Sequence, residues 1–110
     1  MKSKTGKITV IWSILAIKSL KEIFDYYQEK VSVKTAQNIV SNISIRTNIL
    51  SEFPLAGKDF KFNKKQYKLI VVGYYKIIYA YEAEKSIIIH LVFDSRQNPR
   101  KLSKKLKLSS

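Results

Sequence analysis

Between Ser13 and Pro54 two blocks of helical periodicity meet with almost no chain between them, and that juncture constrains the fold more than any other feature. In the first block Ile14, Ile17, Leu20, Phe24 and Tyr27 recur at spacings of three and four. They form one face of an amphipathic helix running to about Lys30. Ser13 is placed to cap it. Lys18, Lys21, Glu22, Asp25 and Glu29 take the other face, where Lys18–Glu22 and Lys21–Asp25 are compensating pairs. Ser32 opens the second block. Ala36, Ile39, Val40, Ile43, Thr47 and Leu50 keep the spacing to about Glu52, and Pro54 ends it by pushing Phe53 toward extended backbone. Helices joined by one or two residues fold back as an antiparallel hairpin. Its apolar side must be laid on a second layer.

The flanking segments supply that layer. "KITVIW", Lys7 to Trp12, alternates and is β-branched, a short strand ahead of the helices. "PLAGKDFKFNKKQ", Pro54 to Gln66, has no period and reads as a loop. "YKLIVV", Tyr67 to Val72, and "YKIIYAYE", Tyr75 to Glu82, flank a Gly73-Tyr74 hairpin connection. "EAEKS", Glu82 to Ser86, is a second turn, followed by "IIIHLVF", Ile87 to Phe93. These three strands form an antiparallel meander. The last is apolar at nearly every position, which predicts a central strand covered on both faces. The order β-α-α-β-β-β implies an α+β fold, with the helical hairpin packed on one face of a small, mainly antiparallel sheet. The 110 residues suit a single domain over 1–110 with a basic tail from about 103 to 110. In "KLSKKLKLSS" Leu102 and Leu106 would share one helical turn, and helix and disorder both stay open.

Charge is the informative total. Lys and Arg number 21 against 8 Asp and Glu, a formal net charge of +13. Residues 1–55 carry 8 basic and 4 acidic groups, and residues 56–110 carry 13 and 4. Such asymmetry predicts a polyanionic partner, an acidic protein or a nucleic acid. A basic nucleic-acid-binding module is one reading. The absence of cysteine excludes disulfides and thiolate chemistry and suits a cytoplasmic protein. The apolar run Ile8 to Ile17 is too short to span a bilayer and lacks a signal-peptide cleavage pattern, so no membrane association is expected. With one histidine, no metal-ligand cluster and no Gly-rich phosphate cradle, neither a metal nor a cofactor is expected.

Few side chains remain as candidates. His90 in its apolar strand reads as a core histidine rather than a general base. Tyr79 and Tyr81 read as cross-strand packing, while Tyr74 in its turn is open to packing or base stacking. The stretch "VFDSRQNPRKL", Val92 to Leu102, gathers Asp94, Arg96, Asn98, Pro99, Arg100 and Lys101 where a strand ends. Asp94, Asn98 and Pro99 read as the structural frame of a turn. Lys68, Lys76 and Arg96 can converge on one face or end of the meander, where cations hold phosphate or neutralise an acidic partner. Lys64, Lys65, Tyr74, Arg96, Arg100 and Lys101 form the candidate surface for a target or partner.

The element order, "WSILAIKSLKEIFDY", "YKLIVVGYYKIIY" and "VFDSRQNPRKL" together resemble the RelE/ParE superfamily of bacterial type II toxins. The resemblance implies a toxin neutralised by an acidic cognate antitoxin. Two mechanisms occur in the superfamily. RelE-like members are ribosome-dependent, metal-free mRNA endonucleases, and the resemblance would give Lys68, Lys76 and Arg96 catalytic roles. ParE-like members inhibit DNA gyrase. Lys68 and Arg96 match the RelE pattern. Ile70 replaces a second lysine, Lys76 replaces an arginine, and no tyrosine follows Tyr81. With its set only half present, the chain resembles ParE more closely, which implies gyrase rather than ribosome and mRNA as the target.

Overall fold

The computed structural model describes residues 8–96 and 99–109, without the side chains of 99, 108 and 109. Asn98 of the expected turn lies outside the described residues. In chain order the elements are β1 (Thr9–Trp12), α1 (Ile14–Lys30), α2 (Val33–Asn48) with a 3-10 turn (Ile49–Ser51), β2 (Lys58–Phe62), β3 (Lys65–Val72), β4 (Tyr75–Ala83), β5 (Ser86–Asp94) and α3 (Pro99–Ser109). The strands form one sheet in the order β1-β5-β4-β3-β2. β1 runs parallel to β5, and every other pairing is antiparallel.

Both predicted caps are present. The Ser13 hydroxyl accepts from the Ala16 amide at 3.0 Å, and the Ser32 hydroxyl from the Thr35 amide at 3.0 Å. Ser13 also ties helix to sheet. Its amide donates to the Ile89 carbonyl at 3.0 Å and its hydroxyl to the His90 carbonyl at 3.1 Å. That second acceptor exists because β5 carries a bulge. Ile78 pairs with Leu91 and Tyr79 with Ile89, so His90 is the unpaired extra residue.

The α1–α2 hairpin covers one sheet face. Ala16, Ile43 and Leu50 pack there against Tyr75, Ile77, Tyr79, Ile87 and Ile89. On the opposite face Tyr67, Ile78, Leu91 and Phe93 close around Leu106 of α3. β5 is thus enclosed on both faces and both edges, as its apolar run predicts. The fold class is the one expected, extended by a fourth antiparallel strand and a third helix.

Three local readings are corrected, and one left open is resolved. Pro54 to Gln66 is not one loop, because Lys58 to Phe62 forms β2 against β3. Only Phe60 and Phe62 in it are apolar, and its lysines are exposed. That is the guise of an edge strand that resists further pairing. Asn63 and Lys64 turn the hairpin with φ of 51° and 66°, a conformation asparagine tolerates and lysine rarely adopts. In α1 the buried face runs through Ala16, Ser19, Leu20, Ile23 and Tyr27, and Ile14 and Ile17 point outward. A small alanine lets the helix approach the sheet closely, so the largest residues did not mark the stripe. Tyr81 is about half exposed near the end of β4, whereas Tyr79 is fully buried. Residues 99–109 are helical, and Leu102 and Leu106 share the turn that meets the sheet.

Tyr79 fastens the remaining loop. Its hydroxyl donates to the Pro54 carbonyl at 2.8 Å and accepts from the Gly57 amide at 3.0 Å. Gly57 has no room for a side chain there, since a Cβ would lie 2.8 Å from that hydroxyl and 2.9 Å from the Leu69 carbonyl. Leu106 is the fully buried residue of α3 in this cluster. Leu106→Ala is expected to destabilise the protein by about 2–4 kcal/mol in urea unfolding, the cost of an unfilled core position.

Candidate functional site, an arginine corner

The end of β5 builds the densest polar constellation among the described residues. Asp94 stands opposite Tyr75, the first residue of β4. Its Oδ1 accepts from the backbone amide of Arg96 at 2.9 Å and from Arg96 Nε at 2.9 Å. Its Oδ2 accepts from Arg96 Nη2 at 2.7 Å. This two-pronged pairing fixes the plane of the guanidinium. Nη2 also donates to the Tyr27 hydroxyl on α1 at 2.8 Å. The guanidinium lies over the Tyr74 ring, 4.4 Å from its centroid, in a cation–π contact. Gly73, at φ 61°, makes the tight turn that presents Tyr74 to it.

The charges respond accordingly. Hydrogen bonds from Arg96 hold the Asp94 carboxyl below its ordinary range, and the pairing with Asp94 raises Arg96. The hydrogen bond from Arg96 likewise lowers Tyr27. Burial raises the Tyr75 hydroxyl, which lies beside Tyr27 yet makes no hydrogen bond of good geometry. Behind the corner a cavity of about 440 Å³ opens between α1, the ends of β4 and β5, and α3. Tyr27, Tyr75, Asp94 and Arg96 line it together with Glu22 and Lys105. Across its mouth Lys105 Nζ stands 3.7 Å from Glu22, joining α3 to α1.

The other sequence candidates are dispersed. Lys68 shares a face with Tyr79, beneath the helical hairpin. It pairs with Asp59 at 2.8 Å and is raised by that hydrogen bond. Lys76 pairs in register with Val71 and Phe93, on the opposite, α3-bearing face. Lys64 lies in the β2–β3 turn and Lys65 opens β3, while Tyr74 and Arg96 lie at the other end of β3, about 23 Å away along eight residues. Arg100 and Lys101 are exposed on the first turn of α3, and Pro99 begins that helix. His90 is half-buried with its ring edge-to-face with Tyr67, centroids 5.3 Å apart, and burial lowers it. That is the packing role read from the sequence. Among the described residues no His, Cys, Asp and Glu cluster could hold a metal. No helix there is long and apolar enough to cross a membrane.

Sequence reasoning missed Tyr27 and Tyr75. Tyr27 reads as a member of an apolar stripe and Tyr75 as the first residue of its strand, and the available signal was the hydroxyl, which a buried tyrosine must place against a partner.

The fold matches a solved structure titled "Chromosomal ParDE TA system from P. aeruginosa" with a TM-score of 0.71 at 15% identity, covering 82% of this chain and 98% of that one. A family model described as the ParE toxin of the type II toxin–antitoxin system parDE matches residues 10–99. The chain belongs to that family. No curated protein sequence matches it.

The Asp94–Arg96 pair carries a pH signature. A carboxyl lowered by folding contributes stability that is fully present above its unfolded range, about pH 4, and is lost as pH falls through its folded value. The urea midpoint of the wild type is therefore expected to exceed that of Asp94→Asn at pH 7. The gap should close as pH is lowered toward 2, and a gap independent of pH would refute the pairing.

Proposed function

We propose that this toxin acts in the cytoplasm as a ParE-like inhibitor of DNA gyrase. It docks by its surface, performs no chemistry of its own, and is neutralised by an acidic cognate antitoxin. The observation that carries the reading is the strand register, which puts Lys68 and Lys76 on opposite faces of the sheet. Arg96, at the β5 end, is already engaged by Asp94 and Tyr27. Phosphodiester cleavage without a metal requires several cations to converge on one phosphate. These three do not converge, which weighs against the mRNA endonuclease reading. The family match over residues 10–99 supports the toxin role, and the +13 charge supports an acidic partner.

Purified protein is expected to stop supercoiling by gyrase and to accumulate cleaved DNA complexes, while translation in a cell-free extract continues. Messenger RNA cut on ribosomes, with supercoiling unaffected, would overturn the proposal. Arg96→Ala should weaken gyrase inhibition at least tenfold without unfolding the protein, because the Arg96–Tyr74 plate is exposed and central to the corner. Circular dichroism alongside the supercoiling titration checks both halves.

A further inference from the structure

The cavity behind the arginine corner contains a feature the corner's own bonding does not use. Tyr75 is 6% exposed, and its hydroxyl, beside that of Tyr27, is the one buried side-chain polar atom among the described residues without a hydrogen bond of good geometry. Such a group costs stability unless something binds it. The wall around it is rich in donors. Tyr27 accepts from Arg96 and keeps its own proton to give. The Arg96 bonds to Asp94 and Tyr27 run through Nε and Nη2, which leaves Nη1 without a partner among the described residues. Lys105 reaches Glu22 only at 3.7 Å, beyond good hydrogen-bonding distance, so it can turn to a better acceptor.

Donors with no matching acceptor ask for an oxyanion, and the charge of the wall selects its kind. Arg96 and Lys105 are balanced by Asp94 and Glu22. A dianionic phosphate would face two carboxylates, whereas a single negative charge meets a neutral wall and the free donors. Ile23 and Val92 add an apolar side suited to a hydrocarbon stem. About 440 Å³ holds one such side chain with room for its backbone.

We propose that this cavity is a carboxylate site, which takes an acidic side chain from a partner polypeptide. The choice of a polypeptide rests on the acidic-antitoxin reading above. The carboxylate chemistry rests on the cavity alone. One oxygen accepts from Tyr75, whose buried hydroxyl is uncovered as the acid enters, the other from Arg96 Nη1 or Lys105, and the chain carrying the acid is drawn in by the net positive charge.

The test is calorimetric titration of the full chain with an acetylated ten-residue peptide of alternating glutamate and alanine, and separately with butyrate, each for wild type and Tyr75→Phe. The substitution removes no charge and no hydrogen bond of good geometry, only the close approach to the Tyr27 hydroxyl, so the fold should survive, which circular dichroism verifies. A loss of about tenfold in peptide affinity is expected, the effect of one hydrogen bond to a charged group. Equal peptide binding by both proteins, or no binding by either, overturns the site. Butyrate binding as tightly as the peptide, with the same sensitivity to Tyr75→Phe, keeps the carboxylate and overturns the polypeptide source. Co-purification with the product of a neighbouring acidic gene reads the antitoxin assignment separately. Its failure would remove the partner while the titration still reports on the site.

Discussion

Everything in this molecule is arranged around the need to bury one strand on all sides. β5 is apolar at nearly every position, so neither face can be left to water. The α1–α2 hairpin covers one face and α3 the other, while β1 and β4 satisfy its two edges. The parallel pairing with β1 places the start of α1 directly over β5, and the bulge at His90 supplies the carbonyl that holds Ser13 there. Once β5 is central, its end must break out of the core at Asp94. Polar side chains from three elements meet at that exit, and the arginine corner is their mutual solution.

The features legible in the sequence were those governed by burial of large, regular patterns. Two helix caps, the helical hairpin and the central β5 follow directly from periodicity and from serine chemistry. The features that escaped were governed by context. β2 hid because an edge strand needs few apolar residues and keeps its charges outward. The α1 stripe was displaced because Ala16, the smallest residue available, is the one against the sheet. Tyr27 and Tyr75 escaped because periodicity sees a ring and ignores the hydroxyl at its tip. The separation of Lys68 from Lys76 could be read from strand alternation only once their faces were assigned, which required the register.

Arg96 illustrates how a strong charge is kept at a surface without being left loose. Asp94 fixes its plane, Tyr27 fixes its reach, and Tyr74 occupies its open face. A guanidinium held this way loses little side-chain entropy when a partner arrives, which favours tight recognition. Lys64 and Lys65, at the far end of the sheet, have no such frame. They add to the positive field of the molecule without a fixed geometry.

The parallel pairing of β1 with β5 also imposes an order of events in time. Ser13 and His90, which bind each other in the finished fold, are 77 positions apart in the chain. The helical hairpin needs only local contacts and can form as soon as it is made, but β1 must wait for the last strand before it has a neighbour. Closing so long a loop is slow relative to hairpin formation, whatever its final stability. Tyr27 is therefore in place early and Arg96 late. The corner that joins them closes only when two segments 69 positions apart have met, so a chain cut short before the end of β5 would lack it.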